Sequence, residues 1–325
     1  MSAYYFRRVL QVVPILFGIA TIVFFLVHAA PGGPIVALGG EFATAEYQAA
    51  IERLYGLDRP IVERYWRFLS RLLQGDLGQS YFFKAPVLDV VLEKLPVTLL
   101  LVLPAIGMSS FIGIWLGVNV ARQRGAAETS MVSLTLCCNA IPVFWLGQIL
   151  LLILAVKADL FPVSGMTDAR TSFDGWRHWL DVARHLALPC LTLTIHQLAF
   201  VVLITRASLS AEMRRPYFLT ALAKGNSVPR AQYIHAFRNG ALPVITLIGN
   251  RIGWILGGAI LVENVFAWPG LGRLIITSSL NRDYPMILGI VLVAALLTVT
   301  ANLVVDLIYN WIDPRIDQRR RIDEH

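Results

Sequence analysis

Arg251 sits in the middle of an apolar run from Leu242 to Val262, and no other charged residue is placed so deep in a stretch of this kind. A guanidinium at membrane depth costs about 2.5 to 3.5 kcal/mol on insertion scales, so such groups are kept where they meet a polar path or a partner. Two readings follow. Arg251 faces a path or an inter-subunit seam where a carboxylate passes, or it reaches the headgroups or pairs with Asn250 and a neighbouring helix. His196 and Gln197 lie in another apolar run, where they read as hydrogen-bonding to adjacent helices in preference to binding a metal, and His196 is a candidate for the same path as Arg251. His28, Glu263 and Asp306 fall at the ends of apolar runs, where turn, loop or interface roles suffice; Glu263 in particular reads as a solvated or loop-bonded carboxylate. None of these groups is spaced as a nucleophile with its base. Cys137, Cys138 and Cys190 lie inside apolar runs in no metal-ligand or disulfide pattern and read as small buried hydrophobes. No G-x-x-x-x-G-K-[ST] loop occurs, so the chain cannot cradle nucleotide phosphates in that way.

Elements able to position these groups must be membrane helices. The 325 residues are 56% hydrophobic and 15% charged, with mean hydropathy +0.63, which excludes an ordinary soluble domain and a disordered chain. A crossing helix needs about 20 mostly apolar residues. Six segments qualify, near Val9 to Ala30, Leu95 to Ala121, Thr129 to Val156, Leu186 to Thr205, Leu242 to Val262 and Tyr284 to Val305. The first follows Arg7 and Arg8 as a signal peptide would, but it exceeds a cleavable apolar core, and Pro31 to Pro34 read as a turn, so it is expected to be retained. The net charge of +7 then reports orientation rather than nucleic acid. The termini with the second and fourth loops hold fourteen Lys and Arg in about 71 residues, against thirteen in about 114 for the other loops, which places both termini in the cytoplasm. The expected fold is all-α, integral to the membrane, with six transmembrane helices. Residues 1–30 form the N-terminal segment and first helix, 31–94 a small extracytoplasmic element with a helical pattern from Ala45 to Leu73, 95–312 the membrane core, and 313–325 a cytoplasmic tail.

The cytoplasmic connection 206–241 is patterned. Tyr217 to Lys224 contain no breaker, Gly225 suits a left-handed cap, and Ser227 is placed to cap a second helix through about Asn239, with Pro229 tolerated in its first turn. Val228, Ala231, Ile234 and Phe237 recur at helical spacing and predict one apolar face. Ala221 and Ala223 would let another surface approach the backbone closely. Such a helix–glycine–helix unit either transmits a push from a cytoplasmic partner or rests on lipid as an interfacial helix.

Ala221-Leu-Ala-Lys-Gly225 followed by Arg238-Asn-Gly-Ala-Leu-Pro-Val-Ile-Thr246 resembles the EAA coupling loop of ABC importer permeases, specifically the dipeptide/oligopeptide/nickel branch. Glu263-Asn-Val-Phe-Ala-Trp-Pro-Gly-Leu-Gly-Arg273, Arg282-Asp-Tyr-Pro285, Asn302 through Asp306, Asp313-Pro-Arg315, Arg7-Arg8, the turn after His28 and Gly75-Asp-Leu-Gly78 are similar to that branch as well. The departures are Leu219 and Leu222 in place of family arginines, Asn226 where Leu is common, and Gly33 where the turn usually has Asp.

The resemblance implies a permease subunit in a bacterial inner membrane, not itself an enzyme, forming half of a path for peptides. It also implies a homologous second permease, two cytoplasmic ATPase subunits carrying ATP and Mg, and an extracytoplasmic solute-binding protein. No cofactor would bind this chain directly. Ala221, Ala223, Lys224, Gly225, Arg230 and Arg238 would then contact an ATPase subunit, with apolar burial outweighing exposed ion pairs. Nickel or metal-chelate import is the alternative within the branch. An ion-coupled secondary transporter is the alternative outside it, but it calls for intramembrane carboxylates and repeat helices that are weak here.

Overall fold

Where no water is present, backbone N–H and C=O groups must be paired within their own segment, which selects helices for apolar runs. The computed structural model describes residues 2–29, 56–123, 125–171 and 173–312, with the single positions 44, 46, 49, 52 and 53. Its helices are α1 Ser2–Ala29, α2 Ile61–Leu73, α3 Val87–Val120, α4 Ala126–Ala140, α5 Val143–Leu150, α6 Trp176–Met213, α7 Pro216–Ala223, α8 Val228–Arg230, α9 Phe237–Asn250, α10 Ile252–Val265, α11 Leu271–Leu280 and α12 Tyr284–Ile312. A π-helix, Leu151–Lys157, extends α5, and another, Ala231–Ala236, joins α8 to α9. The only β pairing among the described residues is an isolated bridge between Gln79 and Pro86. The turn at Pro31 to Pro34, with Gly33, and the tail holding Asp313 and Arg315 lie outside the described residues, as do the side chains of Arg7, Arg8, Asn250 and Asp306.

Four described helices are long and apolar enough to cross a membrane: Leu10–Ala29 within α1, α3, α6 and Tyr284–Val304 within α12. The expected continuous helix from Thr129 to Val156 is instead broken. α4 and the α5 segment meet at 96°. The cause is Pro142, which drives Ile141 out of helical geometry to φ −75°, ψ 124°. The run from Leu242 to Val262 is likewise two fourteen-residue helices, α9 and α10, that meet at Arg251 (φ −84°, ψ −7°). Gly249 and Asn250, weak helix formers, precede that junction. The helical pattern from Ala45 to Leu73 is interrupted at Gly56, with φ +64°, and α2 starts only after Pro60. α6 runs well past the 186–205 expected, at both ends, because no strong breaker other than the tolerated Pro189 intervenes.

The chain divides into two compact units, Met1–Thr98 with Pro269–Val299, and Leu99–Trp268 with Thr300–His325. In the first, α2 packs along α1: the Thr21 and Tyr65 hydroxyls are 2.7 Å apart, and the Phe24 ring lies 5.3 Å from those of Tyr65 and Phe68. Val87 and Val91 of α3 join Leu271, Leu274, Met286 and Ile290 in a buried cluster. Asp283, fully buried, ties this unit together. Its carboxylate accepts from the Ser80 hydroxyl at 2.5 Å, from the Tyr81 and Phe82 amides at 3.1 Å, and from the Met286 amide in the first turn of α12 at 3.4 Å.

In the second unit, α3 and α6 approach closely through Gly113 and Gly117, a G-x-x-x-G pair. A Cβ at Gly113 would lie 2.7 Å from Val201 Cβ, and one at Gly117 would lie 2.5 Å from Thr205 Cβ. Gly117→Val is expected to destabilise the protein by about 1–3 kcal/mol through overpacking. Gly107→Ala, with open space at its Cβ, should be close to neutral. Thermal unfolding of the purified protein in detergent checks both, and an unchanged midpoint for Gly117→Val would contradict the packing described.

Candidate coupling surface and intramembrane polar cluster

Pro216 opens α7 at a first-turn position where its missing N–H costs nothing. Glu212, buried at the end of α6, accepts a 2.5 Å bond from the Tyr217 hydroxyl and pairs with Arg215 at 3.2 Å. Burial, reinforced by the bond to Glu212, raises the Tyr217 pKa, so this phenol stays protonated and donating. The inner face of α7 places Phe218 and Ala221 in a cluster with Val118 of α3, Leu209 of α6, and Ala231 and Ala236 of the π-helix.

The helix ends as its sequence requires. Gly225 takes φ +86° and its amide donates to Leu222 O at 2.9 Å. The amide and side-chain N–H of Asn226 both donate to Ala221 O, at 3.3 and 3.0 Å. Asn226 thus closes the elbow with an extra bond that Leu cannot make. Ser227 precedes α8 with extended backbone as expected, but its hydroxyl makes no capping bond.

Beyond Ser227 the predicted apolar stripe is divided. Ala231, Gln232 and Ala236 are buried, whereas Val228 and Ile234 are 50% and 51% exposed. The π-helix carries more residues per turn than an α-helix, so the spacing that aligns Val228, Ala231, Ile234 and Phe237 no longer keeps them on one face. The helix also does not stop near Asn239 but continues through α9. Of the expected coupling residues, Ala223, Lys224, Gly225, Arg230 and Arg238 are exposed, while Ala221 faces inward. Ala221 therefore supports the elbow rather than opening its surface. Leu219, one of the two leucines replacing family arginines, is 64% exposed beside Ala223; Leu222 packs against the inner cluster.

A second support rests on a pairing with no local signature in the sequence, where Arg122 is one of the charges of the second loop. Its Nε donates to Oε1 of the fully buried Gln232, whose amide in turn meets Met213 Sδ at 3.1 Å, and its guanidinium lies 5.2 Å from the Tyr233 ring centre. The signal available was a glutamine in a helical stretch flanked by alanines that pack inward. Arg206, also counted as a loop charge, pairs with Glu128 of α4; the pair is partly exposed and contributes at most about 1 kcal/mol.

Two of the polar residues expected at membrane depth, Arg251 and Gln197, come together. Arg251 donates to Gln197 Oε1 at 3.2 Å and its guanidinium lies 3.7 Å from the Phe200 ring centre. His196 lies within electrostatic reach of Arg251. The partner for Arg251 is thus a buried amide on α6, and a cation over an aromatic face adds about 0.5–2 kcal/mol. Glu263 is fully buried, which removes the solvated alternative. Its carbonyl accepts from Trp268 N at 2.8 Å in a turn where Ala267 holds φ +51° and Phe266 O receives Gly165 N at 2.9 Å. His28 lies beside Phe24 and Tyr284, with Nδ1 donating to Phe24 O at 2.7 Å.

Several apolar helices, a buried polar cluster among them and an elbow with an exposed outer face define a multi-pass helical membrane protein. Residues 109–318 match the family described as "Binding-protein-dependent transport system inner membrane component", and residues 1–102 match its N-terminal counterpart. The chain is 37% identical to the oligopeptide transport system permease protein AppB of Bacillus subtilis, over 98% of this chain and 100% of that one. It is 34% identical to the dipeptide transport system permease protein DppB of Escherichia coli K12, over the same shares. A crystal structure titled as an amino acid ABC transporter with histidines superposes with TM-score 0.50 at 16% identity, covering 68% of this chain and 94% of that one, a likeness of fold. The chain belongs to the binding-protein-dependent transport system inner membrane component family. It is a membrane component of such a system and not an enzyme.

Removing either partner breaks the Arg122–Gln232 bond: Gln232→Ala takes the acceptor from the partly buried Arg122 guanidinium, and Arg122→Met leaves the fully buried Gln232 Oε1 without its donor, each at a cost of about 1–3 kcal/mol. Both Gln232→Ala and Arg122→Met are expected to lower the midpoint of thermal unfolding, and the double variant to cost less than the sum of the two. Fully additive losses in the double variant would show that the two side chains do not act as a pair.

Proposed function

We propose that this chain is one of two permease subunits of an ATP-driven importer and forms half of the path by which di- and oligopeptides, delivered by an external binding protein, cross the inner membrane. The observation that carries this reading is near full-length similarity to peptide permeases, joined to an elbow at α7 and Gly225 whose inner face is packed into the membrane unit. In this reading the chain crosses the membrane six times, counting α4 with α5 and α9 with α10 as one span each. Both termini and the connection 206–241 face the cytoplasm, residues 31–94 form an extracytoplasmic element, and residues 313–325 a tail.

A second permease, two ATPase subunits and a solute-binding protein complete the assembly. ATP and Mg belong to the ATPase subunits, one of which receives Leu219, Ala223, Lys224 and Gly225, with Ala221 as support. Arg230 and Arg238 flank this contact, and the exposed Leu219, Val228 and Ile234 favour an apolar docking surface over one held by charge. At the other end of the mechanism, Arg251 and His196 border the path. The bond to Gln197 holds the guanidinium in place without neutralising it, so it remains able to meet a peptide carboxylate.

Uptake of a labelled dipeptide into proteoliposomes holding the full complex tests this. Transport is expected only with ATP and the ATPase subunits. Ala223→Trp should abolish it with membrane abundance unchanged, and Arg251→Gln should slow it at least severalfold. Uptake by the chain without ATPase subunits would overturn the reading; normal rates for Arg251→Gln would confine that residue to a structural role.

A further inference from the structure

A cavity of about 660 Å³ opens in the first unit beside the last turns of α1. Five basic side chains line it, Arg59, Arg64, Arg67, Arg71 and Lys84, against the single carboxylate of Asp76. That carboxylate is already engaged, accepting from the Gly78 amide at 2.8 Å. Arg59 and Arg67 share Glu63, at 2.6 and 3.0 Å. Among the described residues, Arg64, Arg71 and Lys84 have no carboxylate within ion-pair distance. Arg64 is half-buried beside Tyr81 and Tyr284, and the lost hydration lowers its pKa; a guanidinium nevertheless stays charged. Three cations with no carboxylate partner among the described residues, set around one cavity, call for an oxyanion, and the planar fork of arginine suits phosphate.

The surroundings point to the source of that phosphate. Phe24 and His28, which also line the cavity, belong to the end of the apolar stretch Leu10–Ala29, so the cavity lies at headgroup depth. α2 packs against that same part of α1 through the contacts at Thr21 and Phe24. Its Val62, Trp66 and Leu73 fall on one helical stripe and are 61%, 65% and 89% exposed, next to a helix whose Ile22 and Leu26 are exposed by 61% and 65%. A water-soluble partner accounts for the charge but not for this apolar surface at the depth of a span. A basic amphipathic helix lying in the interface accounts for both.

We propose that this cavity holds the headgroup phosphate of an anionic phospholipid, gripped by Arg64, Arg71 and Lys84, with the acyl chains along α1 and the exposed stripe of α2. The inference rests on α1 being embedded in lipid and is independent of the cargo. The test is native mass spectrometry of the assembled transporter titrated with phosphatidylglycerol or phosphatidylcholine. One tightly held phosphatidylglycerol is expected, and Arg64→Gln/Arg71→Gln should weaken it roughly tenfold or more. Arg59→Gln, whose native guanidinium is already paired, should retain it. Should the double variant fail to assemble, Arg71→Gln alone, at an exposed position, is expected to weaken binding severalfold. Equal retention by the charge-removed variants, equal binding of phosphatidylcholine, displacement by millimolar inorganic phosphate, or loss in Arg59→Gln as great as in the double variant would overturn the proposal.

Discussion

The elbow and the helices around it depend on one packing contact, the burial of Phe218 and Ala221 against Val118, Leu209, Ala231 and Ala236. A short helix of eight residues has little stability of its own, so it is held by what it packs against. Because those partners belong to α3, α6 and the π-helix leading into α9, displacement of the elbow is displacement of the helices that continue into the membrane. The residues around the contact serve it. Glu212 receives Tyr217 at the entry, Asn226 closes the exit on Ala221 O, and Gln232 pins the π-helix to Arg122. With the inner face occupied in this way, only the outer face, with Leu219 and Ala223, remains to meet a partner.

The first unit uses a different device for the same need. Its connecting segments carry polar backbone that cannot be left unpaired, and the buried carboxylate of Asp283 takes three donors from the 80–82 turn and one from the start of α12. This gives the Arg282-Asp-Tyr-Pro285 motif a physical meaning: an acceptor where a turn and a helix N-terminus converge. The cavity lined by Arg64 and Arg71 belongs to the same unit, and the braced 80–82 turn supplies Ser80 and Tyr81 to its wall.

Much of this was legible in the sequence. Apolar length located α1, α3, α6 and α12, and the breaker-free stretch before Gly225 located α7 and its left-handed cap. Charge and polarity in apolar runs mark Arg251 and His196, and the structure pairs Arg251 with Gln197, the residue that follows His196 in sequence. The rest turned on effects that pattern reading does not weigh. Pro142 bends α4 against α5, a break that the apolar residues on either side hide from a hydropathy reading. The stripe from Val228 to Phe237 presumed 3.6 residues per turn, and the π-helix broke that periodicity. Arg122 and Gln232 meet across 110 residues of sequence, a pairing that no local rule reveals. Gly113 and Gly117 carried a readable signal, the spacing of four, that hydropathy alone hides.

The central claim is that the outer face of the elbow is covered by an ATPase subunit while its inner face is part of the membrane unit. Maleimide labelling measures this directly, in a chain whose Cys137, Cys138 and Cys190 are replaced by alanine. With Ala223→Cys, rapid labelling of the chain alone and strong protection in the presence of the ATPase subunits are predicted, while Ala221→Cys stays unreactive in both states. Equal labelling of Ala223→Cys with and without the ATPase subunits, or ready labelling of Ala221→Cys, would contradict the account.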